Sequence, residues 1–266
     1  MTKTLGFIGA GNIATAIIGG VIKAGLVSGE KILVSDSVAI MREQMTEKFG
    51  TKIVPCNIEL AQEADIIFLC VKPQVYEAVI KEIRAHVKKD AVVIILAAGL
   101  GLAAVAEMFS RQEIKLVKTM PNTPALVNCG MTALCAAPNV SGDDMAEVLA
   151  VFNSVGKTEI LPEKQFDIFT ALAGSSPAYV CMFVEAMADA GVKHGFSRKQ
   201  AIDISVQALL GTAKMLAQTG EHPAVLREAV CSPSGTTIEA VCELERLGLR
   251  NAVISAVSRC TEKYNK

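Results

Sequence analysis

At residue 9 the chain reads Gly9-Ala10-Gly11-Asn12-Ile13-Ala14, directly after the apolar run Leu5–Ile8 and at the opening of a helical pattern. The spacing is G-x-G-x-x-A. In such a turn the first glycine permits a sharp reversal, the second lets backbone approach a diphosphate, and a small third residue keeps helix close to strand. Asn12 and Ile13 then open a helix whose unpaired N–H groups and partial positive charge suit an anion. A Gly-rich strand-to-helix turn is ordinary by itself. Here it heads an alternating β/α array, the setting in which it reads as a dinucleotide site. The chemistry implied is hydride exchange with NADH or NADPH.

A second strand ends at Ser35-Asp36-Ser37, and Asp36 lies 22 positions after Ala14. An acidic residue there accepts hydrogen bonds from a ribose 2′-hydroxyl, which favours NAD. Ser35 and Ser37 leave NADP open, and capping of the next helix is an equally good use of Asp36. Val71-Lys72-Pro73 ends another strand, where ligands gather in open α/β sheets. Lys72 either contacts phosphate or ribose there or is simply solvated.

Three later segments exceed what folding needs: Met120-Pro121-Asn122-Thr123-Pro124, Gly174-Ser175-Ser176-Pro177-Ala178-Tyr179, and Ser232-Pro233-Ser234-Gly235-Thr236-Thr237-Ile238. Thr236 and Glu239 have the spacing of a capping box, so a helix is expected to start at Thr236. Its N–H groups would bind one carboxylate, with the Ser232 hydroxyl as an uncharged donor. The alternative is an ordinary capped helix after a Ser/Pro/Gly turn.

The elements that must position these residues fall into two regimes. Before residue 162, strands at 5–8, 31–35, 65–71, 91–97 and 115–119 alternate with helices near 12–25, 38–49, 58–64, 74–86 and 101–110. Strands at 131–137 and 157–161 extend one end. Runs such as Ile66-Ile67-Phe68-Leu69 are apolar throughout, as a parallel sheet covered on both faces requires. After Pro162 the pattern is helical only. Ser176 and Pro177 read as N-cap and first turn of a long helix, and Ser197 with Gln200 as a capping box for the next. The expected organisation is an α/β doubly wound Rossmann-type sheet over 1–161 and an all-α substrate-binding and dimerisation domain over 162–266. Tyr179, Met182, Phe183, Ala186 and Met187 share a helical face, while Val180, Cys181 and Val184 make a second one. A helix apolar on two faces in so small a domain needs cover from another chain, so a homodimer is expected.

Bulk composition narrows the partners. Basic and acidic residues nearly balance, 26 against 27, without a basic block, which argues against nucleic acid. No uninterrupted apolar run approaches the roughly 18 residues of a membrane span, because Gly99 and Gly101 divide the best stretch. Eight cysteines lack C-x-x-C spacing or nearby histidine pairs, so neither disulfides nor a metal site is expected, and the reducing cytoplasm fits.

Taken in order and register, GAGNIA, VKP, MPNTP, GSSPAY and SPSGTT resemble pyrroline-5-carboxylate reductases from end to end. The resemblance implies NAD(P)H-dependent reduction of the cyclic imine 1-pyrroline-5-carboxylate to proline, and dimers that assemble further into decamers. It places Ser232, the Gly235 turn and the backbone of Thr236 and Thr237 at the substrate carboxylate, with the Thr237 hydroxyl at the ring nitrogen. Ser175 and Ser176 fall in the substrate loop. Asn57 matches a position at the adenosine end of the cofactor, and Asn122 and Thr123 fall in a cofactor segment. Ser176 and Ser234 stand where the family commonly has glycine; a positive φ at either costs about 1 kcal/mol. Two rivals remain. A β-hydroxyacid-type dehydrogenase needs a general base, yet Lys193 lies at the far end of the long helix. A non-catalytic NAD(P)-binding sensor would have no use for Ser232 and Thr237. His86, His194 and His222 read as structural or surface residues.

Overall fold

A computed structural model describes residues 1–111 and 113–264. Contacts divide the chain into two compact units, Met1–Gly174 and Ser175–Lys266.

The first unit is built on eight strands: β1 (Leu5–Ile8), β2 (Ile32–Ser35), β3 (Lys52–Ile53), β4 (Ile66–Leu69), β5 (Val92–Ile95), β6 (Lys115–Met120), β7 (Gly130–Ala136) and β8 (Gly156–Ile160). They pair in the order β3-β2-β1-β4-β5-β6-β7-β8, parallel except for β6 against β7. The helices here are α1 (Asn12–Lys23), α2 (Ala39–Phe49), α3 (Asn57–Glu63), α4 (Tyr76–Ile83), α5 (Leu102–Phe109), α6 (Gly142–Asn153) and α7 (Phe166–Phe169). Successive strand residues point to opposite faces. Leu5, Phe7, Val34 and Phe68 therefore enter one buried cluster with α1 and α6, while Ile8, Leu33, Ile67 and Leu69 enter another with α3, α4 and α5. Phe7 and Phe68 stack with ring centroids 4.4 Å apart. Each such buried side chain contributes about 1.5–3 kcal/mol of apolar burial, and the two-sided cover explains why these strands are apolar throughout.

Two elements were not anticipated. β3 is only two exposed residues at the sheet edge, too short and too polar for a periodicity signal. α6 carries a Ser141–Asp144 capping box and buries Val148, Val151 and Phe152, so its signature was present in the sequence.

Residues 163–174 pack with the sheet. Glu163 Oε1 accepts the Leu102 N–H at 2.9 Å and pairs with Lys118 Nζ at 3.1 Å, and Lys118 lies over the Phe166 ring. Phe166 and Phe169 are buried against Met120 and Ala133. The change to helical sequence thus falls near residue 162, while the packing border falls after Gly174.

The second unit comprises α8 (Ser176–Lys193), α9 (Arg198–Thr219), α10 (Pro223–Ala229), α11 (Thr236–Arg246) and α12 (Leu249–Tyr264). The Ser197–Gln200 capping box forms as expected. α8 and α9 meet through small residues: a Cβ on Gly191 would lie 2.9 Å from that of Ala201. Ala188, Ala201 and Ser205 are buried, but Met182, Val206 and Leu210 are 67%, 47% and 58% exposed. One copy leaves these apolar faces uncovered. The helical run Glu163–Lys193 is long and apolar enough, by length and composition, to cross a membrane. It holds no uninterrupted apolar run of about 18 residues; its mean hydropathy arises because α8 is apolar on two faces.

Candidate functional site

The strand order reverses direction between β1 and β4, and there the Gly9–Ala14 turn and Val71-Lys72-Pro73 leave neighbouring strand ends. Such a switch point is where open α/β sheets hold ligands. Gly9 has φ +102°, donates its N–H to the Ser35 carbonyl at 2.7 Å, and has room for no Cβ, which would lie 2.7 Å from the Cys70 carbonyl oxygen. Gly11 differs: it is the N-cap of α1 and a Cβ there would meet nothing within 4 Å. Ala14 is fully buried, Asn12 is exposed, and Ile13 is half-buried beside Ala16, Ala125 and Val155. No side chain caps α1. Its first-turn N–H groups are left without a side-chain cap, the fit a diphosphate requires.

Asp36 does more than either role expected of it. Its Oδ2 accepts the Ala10 N–H at 2.8 Å and its Oδ1 accepts the Val38 N–H at 2.8 Å, so one carboxylate braces both the Gly-rich turn and the entry to α2. The N-cap itself is Val38. Arg42, which carried no signal in the sequence, bonds the Asp36 carbonyl. Ser35 is buried and donates to Asn57 Oδ1 at 2.8 Å; Asn57 Nδ2 donates to Glu82 at 2.8 Å. Val71 is half-buried beside the Gly9 turn, whereas Lys72 and Pro73 are exposed.

Two further residues position these strand ends. The buried Tyr76 hydroxyl donates to the Leu69 carbonyl at 2.7 Å and accepts the Leu96 N–H at 3.0 Å, tying β4 to β5; burial pushes its pKa up, so it stays a neutral donor. Asn122 Nδ2 donates to the Ala173 carbonyl and its Oδ1 accepts the Met131 N–H, both at 2.9 Å. Thr123 is exposed at the start of the next turn.

In the helical unit, Ser175 is the N-cap of α8 and Ser176 its first residue, which corrects the expected frame by one position. Residues 170–174 are already wound as a π-helix, and Ser175 joins it to α8 with helical backbone angles, φ −93° and ψ −27°. Ser175 Oγ accepts a weak bond from Cys260 Sγ at 3.3 Å. Ser176 has no positive φ; Ser234 does, at +56°.

The turn into α11 also departs from expectation. Gly235, in an extended conformation, is the N-cap, so Thr236 is the first helical residue and no side-chain cap bond forms. A capping box needs its hydroxyl on the N-cap itself, so Thr236 and Glu239 are out of register. The first-turn N–H groups of α11 are thereby left without a side-chain partner. Ser232 packs against the N-cap just before them: its carbonyl accepts the Gly235 N–H at 3.0 Å, and a Cβ on Gly235 would collide with Ser232 Oγ. Thr236 and Thr237 are exposed.

A doubly wound sheet with an uncapped Gly-rich helix entrance at its switch point defines a dinucleotide-binding α/β protein. Residues 4–99 match the family described as NADP oxidoreductase coenzyme F420-dependent, and residues 163–266 that described as pyrroline-5-carboxylate reductase dimerisation. The pyrroline-5-carboxylate reductase of Escherichia coli is 45% identical over 100% of this chain and 98% of its own length. That of Synechocystis is 38% identical over 97% of this chain and 95% of its own. Among solved structures, a Coxiella burnetii pyrroline-5-carboxylate reductase superposes with TM-score 0.94 at 30% identity, covering 100% of this chain and 98% of that one. A Plasmodium falciparum pyrroline carboxylate reductase with NADP bound gives 0.88 at 31%, covering 99% and 97%. The chain belongs to the pyrroline-5-carboxylate reductase family. Its dimerisation domain makes it a homo-oligomer.

Proposed function

We propose that the chain reduces 1-pyrroline-5-carboxylate to proline with NADH or NADPH. What carries the reading is that two uncapped helix entrances, those of α1 and α11, stand in a chain matched from end to end by reductases of that name.

The α1 entrance, with Gly9, Gly11, Asn12 and Ile13, holds the diphosphate. Asp36, Ser35 and Asn57 form the adenosine end, and Val71, Lys72, Pro73, Asn122 and Thr123 the neighbouring wall. When bound, the cofactor supplies the hydride. The α11 entrance holds the substrate carboxylate on the N–H groups of Thr236 and Thr237 and on the Ser232 hydroxyl, a charge-assisted arrangement. Gly235 keeps that turn narrow, and Ser175 and Ser176 complete the substrate loop. The Thr237 hydroxyl orients the ring nitrogen and handles its proton. A protonated cyclic imine is already electrophilic, so the protein's contribution is alignment and exclusion of water, and no general base is required.

The exposed apolar faces of α8 and α9 are covered by a second copy, which also accounts for the apolar Glu163–Lys193 run without a lipid partner. Dimers of this kind build decamers. The sheet domain over 1–161 and helical domain over 162–266 work in the cytoplasm, where eight free cysteines are stable as thiols.

Oxidation of NADH or NADPH on adding 1-pyrroline-5-carboxylate tests the reading, with Thr237→Ala alongside. Turnover should fall by at least tenfold in the variant while cofactor affinity is kept. Equal turnover in both proteins would remove Thr237 from the mechanism; hydroxyacid oxidation in place of imine reduction would replace the reading altogether.

A further inference from the structure

The adenosine end of the cofactor site carries a fixed negative charge. Asp36 is half-buried, and its carboxylate cannot swing away: one oxygen is bound by Ala10 N–H in the Gly-rich turn, the other by Val38 N–H, each at 2.8 Å. Bonds from backbone donors to an ionised carboxylate are among the stronger ones in proteins. Each oxygen retains a lone pair, so the group still accepts from a hydroxyl. A second carboxylate lies close by through two hydrogen bonds, Ser35 to Asn57 and Asn57 to Glu82. Arg42 on α2 donates one guanidinium N–H to the Asp36 carbonyl.

We propose that this chain prefers NADH to NADPH and that Asp36 is the residue that sets the preference. The inference rests on the nicotinamide-dependent reading above and goes further by choosing between the two cofactors. They differ by a phosphate on the adenosine ribose. A 2′-hydroxyl can donate to the Asp36 carboxylate, whereas a 2′-phosphate brings a near-double negative charge against it in a partly dehydrated corner. Like charges there repel, and Asp36 cannot relieve the repulsion without releasing Ala10 and deforming the turn that grips the diphosphate. Of the two serines that leave NADP open in sequence, Ser35 is buried and donates to Asn57, while Ser37 is exposed.

The test has two independent readouts. Fluorescence titration with NADH and with NADPH gives each dissociation constant without any substrate, and initial rates with 1-pyrroline-5-carboxylate give each kcat/KM. NADH should lead by tenfold or more in both. Asp36→Ser should shrink or invert the ratio by raising affinity for NADPH while lowering that for NADH. Asp36→Asn, closer in shape, should move the ratio the same way. Equal or better binding of NADPH by the unaltered protein overturns the proposal. So does an equal loss of both cofactors in the two Asp36 variants, the mark of a purely structural brace, or a loss confined to NADPH in Arg42→Ala. Cofactor binding with the expected ratio but no imine reduction would leave this preference standing and refute the proposed reaction.

Discussion

Asn122 supplies Ala173 with the hydrogen bond that Pro177 cannot: its Nδ2 donates to the Ala173 carbonyl at 2.9 Å. In a regular helix that carbonyl would accept from the residue four places on, which here is a proline without an N–H. The chain winds as a π-helix over Thr170–Gly174, a feature often found at functional sites, and a side chain from the end of β6 satisfies the freed carbonyl. The same amide accepts the Met131 N–H, so one residue fixes the π-turn to β7.

Replacing Asn122 with Ala should therefore leave a carbonyl and an N–H unpaired, at about 1–3 kcal/mol each. Thermal unfolding followed by circular dichroism should show a drop of several degrees. Asn122→Asp keeps the acceptor for Met131 but sets a negative charge against the Ala173 carbonyl, and should be at least as damaging. Unchanged melting in both would mean the amide contributes nothing there.

Gly9 and Gly11 should separate folding from binding. Gly9→Ala forces a Cβ to 2.7 Å from the Cys70 carbonyl oxygen at a φ of +102°, so it should destabilise the sheet unit by more than about 1 kcal/mol. Gly11→Ala meets nothing within 4 Å and should melt as the unaltered protein does, yet cofactor affinity should fall at least tenfold, because the Cβ occupies the approach to the diphosphate. A Gly11 variant with intact affinity would place the diphosphate elsewhere.

Ser234 sits at φ +56° in the turn before α11. Left-handed backbone costs a non-glycine residue about 1–2 kcal/mol, offset in part by the greater unfolded-state freedom of glycine. Ser234→Gly should raise stability by up to about 1 kcal/mol, read as a higher denaturant midpoint. A lower midpoint would show that the serine side chain contributes more than its backbone costs.

Acid should weaken the sheet unit through two carboxylates. Burial alone would raise Asp144, but hydrogen bonds from Lys115 and Ser141 together outweigh it and hold the carboxyl below its ordinary value of 3.8. Burial likewise opposes, and bonds from Thr4 and Lys88 overcome it, at Asp65. A folded-state pKa below the unfolded one means stability that is full above the unfolded value and lost as pH falls through the folded one. Asp144→Asn should therefore cost stability at pH 7, with the gap to the unaltered protein closing as pH drops below about 4. A gap independent of pH would show that the lost bonds, not the charge, matter.

Met182 is 67% exposed on α8 although its helix is apolar on two faces. Met182→Asp should convert the oligomer toward monomer in sedimentation equilibrium, since a charge buried at an interface without a partner costs several kcal/mol. An unchanged assembly would place Met182 outside the contact between copies.

The spacing Gly9-x-Gly11-x-x-Ala14, the fully apolar strands and the Ser197–Gln200 box were sufficient in sequence to define a doubly wound sheet, a dinucleotide turn and a helical second unit. They could do so because glycine conformation, strand burial and helix capping are set within a few residues of the chain. The tertiary structure decided what depends on distant partners. Asp36 braces Ala10 across 26 positions, Asn122 reaches Ala173 across 51, and Glu163 meets Leu102 across 61. The frame at α11 belongs with these as well: Thr236 and Glu239 have the spacing of a box, but the helix starts one residue earlier than that box requires. A hydrogen bond between residues far apart leaves no periodic trace in either segment, because each side chain is chosen for a partner that only the folded chain brings near.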